Sequence, residues 1–288
     1  LVIGYFIYEA EVDTVRLMNT LASTPALRNV LFVPHGAPTF ALNPGAAGAA
    51  MSHVAQQLPT PRAIVVVSPH WETALPTVGL ATQPETIHDF YGFPSPLYDI
   101  HYPATGCPEA ALEVVAALKA HGFGVQTDAQ RGLDHGAWIP LRQMFPDADV
   151  PVIPLSVQSH AGPQHAYRIG QALAGLAAQN IWIVGSGNVT HNLGDLRLAR
   201  MQGDRTPAYV QVFADWLAEH LAQGDLDSLL NYRQHSPEGV RAHPSEEHLL
   251  PLFTALGAAG PDAVPQAFHR GISDCVIAMD GYAFQSKA

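Results

Sequence analysis

Four histidines stand where apolar, β-branched runs give way to glycine and proline. NVLFV (29–33) leads into Pro34-His35-Gly36-Ala37-Pro38, and AIVVVS (63–68) into Pro69-His70-Trp71. IWIVGS (181–186) leads into Gly187-Asn188-Val189-Thr190-His191-Asn192. His248 closes Ala242-His243-Pro244-Ser245-Glu246-Glu247-His248, just ahead of the apolar stretch LLPLFTAL. Imidazoles suit zinc, iron, copper and nickel, and a histidine titrating near neutral pH can also carry protons. A single histidine after a strand is more often a hydrogen-bonded loop residue than a ligand. The same rare residue at three strand ends makes a shared metal site as good an account as coincidence. The pattern does not name the metal.

Other residues group around these. His135, in Gly132-Leu133-Asp134-His135-Gly136, opens the helical stretch AWIPLRQMF. It is a candidate to donate a hydrogen bond to substrate or oxygen; the alternative is a first-turn helix residue paired with Asp134. The segment from Phe90-Tyr91-Gly92-Phe93-Pro94 through Tyr98 and Tyr102 is dense in aromatics and proline. Phe93 and Tyr98 there could wall a pocket for an aromatic ring, or the segment could be an ordinary packed loop. His243, before Pro244, is expected to shape its loop. His88, His101, His160 and His165 sit in polar or loop contexts and are not expected against a metal.

The elements that must position these side chains alternate. The runs at 29–33, 63–68, 150–157 and 181–186 read as strands buried on both faces, the mark of a parallel sheet. Helical stretches lie at 46–58, 108–121, 163–178 and 207–222, and leading prolines at three of them suit first-turn positions. VPQAFHRG and DCVIAMDGYAF near the end read as two more strands, an edge hairpin. The expected fold is α/β: one domain, a mostly parallel central sheet flanked by helices, with the site beyond the carboxyl ends of the strands. The main insertion is the loop 84–106. Residues 1–28 are expected to be a leader outside the fold core, with Met18 an alternative start, and 29–288 the catalytic domain. The apolar start LVIGYFIY lacks the basic segment of a signal peptide, and Glu9, Glu11 and Asp13 follow at once.

Composition narrows the partners. The 288 residues are 48% hydrophobic and 14% charged, enough for a large core. A formal net charge of −11 argues against nucleic acid or an anionic membrane as partner. Apolar runs such as 63–68 fall far short of the ~20 residues of a membrane span. Cys107 and Cys275 make no disulfide framework, so a cytoplasmic home is expected. Histidine is the outlier, 15 residues against 14 Lys+Arg.

Taken together, FVPHGAPT, VVSPHW, FYGFPSPLYDIHYPATG, GLDHGAWIPL, GSGNVTHNL and AHPSEEHLLPL resemble the class III extradiol ring-cleaving dioxygenase superfamily, in its DOPA 4,5-dioxygenase-like branch. The matches run in order from about residue 29 to 282. The resemblance implies one non-haem Fe(II) that binds a catechol through both hydroxyl oxygens with O2 beside it. The ring opens next to the diol to give a semialdehyde. His35 and His70 match two ligands and His248 the third; His191 matches the acid/base and is a candidate fourth ligand. The best-known ring-cleaving members use a carboxylate as third ligand, where this chain has histidine. That departure also suits Zn(II), which binds such sites more tightly than Fe(II); Glu246 or Glu247 could still supply the carboxylate. Implied partners are a small aromatic diol, DOPA-like or a related phenolic, and O2, on a monomer or homodimer. Two alternatives stay open. One is a zinc-dependent hydrolase whose bound water has a pKa lowered to about 7. The other is a non-catalytic binding protein on the same fold, which would have little use for His191.

Overall fold

The structure, a computed structural model, describes residues 26–287. The expected leader lies outside the described residues except at its end. There Leu27 and Arg28 already belong to β1 (Leu27–Pro34), because Leu27 pairs with Gln285 across a bulge.

Eight strands form one sheet in the order β4-β3-β5-β2-β6-β1-β10-β7. Its centre is parallel: β5 (Val152–Val157), β2 (Ala63–Glu72), β6 (Ile181–Gly187) and β1 pair in register, Val65 with Ile153 and Ile183, and Val33 with Ser186. β5 and β6 are buried along their whole length and β2 along nearly all of it, as their β-branched runs require. Both flanks turn antiparallel. On one side β3 (Thr77–Gly79) runs against β5 and carries β4 (Gln126–Asp128). On the other, β10 (Gly281–Ser286) runs against β1, and β7 (Ala263–His269) forms the edge. The two expected C-terminal strands are thus an antiparallel pair with β10 inside, and a small ladder of β8 (Ile272–Ser273) and β9 (Ile277–Ala278) interrupts the connection.

Helices cover this sheet. α1 (Gly45–Gln56) packs on α3 (His135–Met144), which meets β2 and β6. α2 (Pro108–Ala120) packs on α4 (Gly162–Ala177), and α4 packs on α7 (Leu250–Ala259), which meets β6 and β1. α5 (Leu193–Met201) and α6 (Ala208–Gln223) follow β6. Pro108 and Pro163 occupy first turns as expected, whereas Pro207 stands one residue outside, at the N-cap of α6. Among the described residues no helix is long and apolar enough to cross a membrane.

Candidate metal centre and active site

Because β1, β2 and β6 run parallel, their carboxyl ends open on the same side of the sheet. His35 follows the last residue of β1, and its amide donates to the Gly187 carbonyl at 3.2 Å. Gly36 takes φ +64°, a left-handed turn that glycine adopts without strain, and its amide donates to Asn188 Oδ1 at 3.0 Å. His70 lies within β2, which runs four residues beyond the expected end. His248 precedes α7, and its carbonyl accepts from the Asn188 amide at 3.1 Å. That approach needs a glycine at 187, since a Cβ there would collide with the His248 carbonyl oxygen.

Ring spacing brings three of the histidines together. The centroids of His35, His70 and His248 form a nearly equilateral triangle with sides of 5.1, 5.3 and 5.0 Å. Imidazoles bound to one ion at about 2.05 Å and a tetrahedral angle have centroids about 5.2 Å apart and ligating nitrogens about 3.3 Å apart. His35 Nε2 and His70 Nε2 are 3.3 Å apart. Grouping by ligand atoms alone divides the histidines differently: His35, His70 and His135 within 4.8 Å of one another, and His191, Glu247 and His248 likewise. The His135 ring lies only 3.9 Å from that of His70, closer than two ligands of one tetrahedral ion stand. The lone pair of an imidazole lies in its plane, so ring placement fixes where an ion can sit, and it favours His35, His70 and His248.

Proton placement agrees. Ser186 Oγ donates to the Gly136 carbonyl, so it accepts from His35 Nδ1 at 3.1 Å. His35 Nε2 is then the unprotonated nitrogen, its lone pair available to an ion, with Asn188 Nδ2 3.2 Å away. His248 Nδ1 donates to Glu247 Oε1 at 2.9 Å, while His248 Nε2 is buried with no hydrogen-bond partner. An orphaned buried nitrogen is costly unless something fills its lone pair, and a cation does. His70 Nδ1 faces Asp89 Oδ2 at 3.7 Å. His35 and His248 thus each donate to an oxygen behind the ring, the arrangement that orients metal-bound histidines, while His70 has a carboxylate nearby but beyond hydrogen-bond length. Burial, and then the neighbouring imidazoles, hold His35, His70 and His248 well below the ordinary histidine range. They are neutral, as ligation requires. The donor set fits a divalent ion of the zinc or ferrous type.

Two further histidines border this cluster. His191 stacks on His248, centroids 3.4 Å apart and planes 9° from parallel; burial pushes it down to about 4. His135 begins α3, and its expected pairing with Asp134 does not occur. Asp134 instead caps the helix through Ala137 N (3.1 Å), accepts from Ser68 Oγ (2.5 Å) and pairs with Arg131 (2.6 Å). The partner of His135 is Asp89, with Oδ2 2.9 Å from Nδ1 and Oδ1 2.8 Å from the backbone amide. Burial alone would raise the Asp89 carboxyl, but the side-chain and backbone hydrogen bonds from His135 outweigh it and hold the group low. Sequence reasoning missed Asp89 and Ser186.

Phe90 connects the aromatic loop to the centre. Its ring lies 5.7 Å from His135, 5.6 Å from Phe93 and 5.3 Å from Tyr98. Phe93 and Tyr98 therefore reach the histidines through Phe90, a ring within the same run that was not singled out. Tyr102 is no wall residue: it is buried in the core and donates to the Phe145 carbonyl at 3.1 Å. His243 donates to the Val189 carbonyl at 2.8 Å and holds its loop, and His88 donates to the Ile100 carbonyl at 3.0 Å. His165 Nε2 meets Gln158 Oε1 at 3.2 Å.

A family model described as the catalytic LigB subunit of aromatic ring-opening dioxygenase matches residues 46–276. A 4,5-DOPA dioxygenase extradiol of Beta vulgaris is 36% identical over 270 residues, 92% of this chain and 100% of that protein. One of Escherichia coli (strain K12) is 39% identical over 232 residues, 79% and 84% of the two chains. The crystal structure of an uncharacterized Escherichia coli K12 protein superposes with a TM-score of 0.73 at 31% identity, covering 88% of this chain and 98% of that one. The chain belongs to the family of aromatic ring-opening dioxygenase catalytic subunits. It is a metal-dependent extradiol ring-cleaving dioxygenase, which sets aside the hydrolase and non-catalytic alternatives.

Proposed function

We propose that His35, His70 and His248 hold a single ferrous ion, and that the substrate is DOPA or a related small catechol. The observations that carry the ligand set are the triangle of three neutral imidazoles and the buried, unpartnered Nε2 of His248. Support for the substrate class is the name shared by relatives at 36–40% identity. When bound, ferrous iron supplies the Lewis acidity that draws in both catechol hydroxyls and the electrons that activate O2. The reaction needs no outside reductant, because both oxygen atoms enter the ring-opened semialdehyde.

The chain's own residues manage protons and shape. His191 acts as acid/base: it accepts a proton that the catechol sheds and returns one to the departing oxygen. We prefer this role to that of fourth ligand because parallel rings cannot both aim in-plane lone pairs at one ion. His135, on the other flank, contacts the substrate oxygens. Glu247 orients His248 from behind, its Oε1 also accepting from Ser245 Oγ at 3.0 Å, and does not replace it as ligand. Phe90, with Phe93 and Tyr98 behind it, walls the aromatic ring of the substrate.

Anaerobic loading with Fe2+, followed by oxygen-electrode and absorbance assays on DOPA and simpler catechols, tests this reading against zinc-loaded protein. Oxygen uptake in the iron form alone, with a new visible absorbance, is expected. No uptake with any catechol would overturn the substrate and metal assignment together.

A further inference from the structure

Asp89 belongs to the loop between β3 and α2, yet its carboxylate closes on one residue of α3. Oδ1 accepts from the backbone amide of His135 at 2.8 Å, and Oδ2 accepts from the Nδ1 of the same residue at 2.9 Å. An ionised carboxylate can only accept hydrogen bonds, so the Nδ1 it faces must carry the proton. The other ring nitrogen, Nε2, makes no hydrogen bond among the described residues. The ring itself lies 3.9 Å from the His70 ring and 5.6 Å, at 90°, from that of His35. Asp89 also approaches His70 Nδ1, but at 3.7 Å, beyond hydrogen-bond length. Its two good bonds both go to His135.

We propose that Asp89 is a positioning residue for the ring-opening reaction: it locks His135 as the Nδ1–H tautomer and turns the free Nε2 lone pair toward the bound catechol. This role rests on the dioxygenase reading, since Nε2 needs a substrate hydroxyl to receive. In the absence of Asp89 the ring can rotate, and its proton can pass to Nε2, where it would repel the hydroxyl it should accept from. The grip is on both backbone and ring, so the helix start and the imidazole move as one body. Phe90, the next residue, packs its ring 5.7 Å from His135, which carries the same placement to the pocket wall.

Asp89→Asn is the decisive variant. Asparagine has one acceptor oxygen and one NH2, so it cannot accept from both the amide and Nδ1–H of His135. One of its ends must meet a donor with a donor, and the ring responds by changing tautomer. The first readout is 15N NMR of histidine-labelled, zinc-loaded protein, with the His135 signals assigned through His135→Gln. Wild type is expected to give a single Nδ1–H tautomer, and Asp89→Asn a mixture or the reverse. The second is steady-state kinetics of iron-loaded protein: kcat falls by about 100-fold, while KM, metal content and melting temperature stay near wild type. Asp89→Glu, which keeps an ionised acceptor, recovers part of the rate and of the Nδ1–H signal. An unchanged tautomer in Asp89→Asn would overturn the proposal. So would a loss of activity that merely follows lost metal, which would mean that Asp89 serves His70. The NMR arm needs no turnover, so if iron-loaded wild type consumes no O2 with any catechol, the dioxygenase reading fails while the tautomer is still decided.

Discussion

A methyl group added at Gly187 has no free space to enter. Its Cβ would fall about 1 Å inside ordinary contact with the His248 carbonyl oxygen, and 2.9 Å from Phe32 Cε2. Neither neighbour is a loose side-chain end. One is backbone already tied to Asn188 N at 3.1 Å, and the other is a fully buried ring. Gly187→Ala must therefore shift the 243–248 segment or the end of β6 by about 1 Å, whereas metal–ligand distances tolerate only about 0.2 Å. Overpacking of this kind costs about 1–3 kcal/mol in stability. Displacing a ligand should cost at least the 10–100-fold in metal affinity typical of changes just behind one, about 1.4–2.7 kcal/mol. The assay is chelator competition for Zn2+ together with melting of apo and loaded protein. Gly175→Ala serves as control: it lies within α4 with open space around its Cβ, and should stabilise by about 0.5–1 kcal/mol without changing affinity. If Gly187→Ala melted lower yet bound metal like wild type, His248 would not be a ligand held by this contact.

Ser186→Ala removes the acceptor behind His35 Nδ1, so metal affinity should fall about 10–100-fold by chelator competition with the fold retained by circular dichroism. His243 gives a pH signature. Burial lowers it to about 4 from an ordinary value of 6.5, so its contribution to stability is complete above about pH 6.5 and is lost as the pH falls toward 4. The size is about 3 kcal/mol, one proton taken up on unfolding across that window. His243→Gln keeps an N–H for the Val189 carbonyl, and urea unfolding of metal-free protein between pH 4 and 7 should give a slope shallower by about one proton than wild type.

Much of the fold was readable because parallel strands buried on both faces leave continuous β-branched runs. The elements that escaped notice lack that mark. β3 and β4 are three residues each, and β4 is Gln126-Thr127-Asp128, with no apolar residue to signal a strand. The place of β10 between β1 and β7 is set by pairings such as Leu31 with Ala283, and no local pattern encodes a partner 252 positions away. The site divides the same way. His35 and His70 stand out because polar residues are rare at the ends of such runs. Ser186 does not, since a small hydroxyl inside IWIVGS looks like part of the strand until its proton is traced to the Gly136 carbonyl. Asp89 is an ordinary loop acid until the fold closes a gap of 46 residues to His135.

The hydrogen bonds behind the histidines also bear on the departure from a carboxylate ligand. On the ligand set proposed here, three neutral imidazoles leave the full charge of a divalent ion in place, where a directly bound carboxylate would cancel part of it. The carboxylates are present, but one layer out: Glu247 on His248 Nδ1, and Asp89 on His135 and near His70. Coulombic attraction falls with distance, so charge one imidazole away neutralises the ion less than charge in its coordination sphere. The ion would be left with more pull on catechol hydroxyls, and the acceptors behind His35 and His248 fix the tautomers of those two rings before any metal arrives.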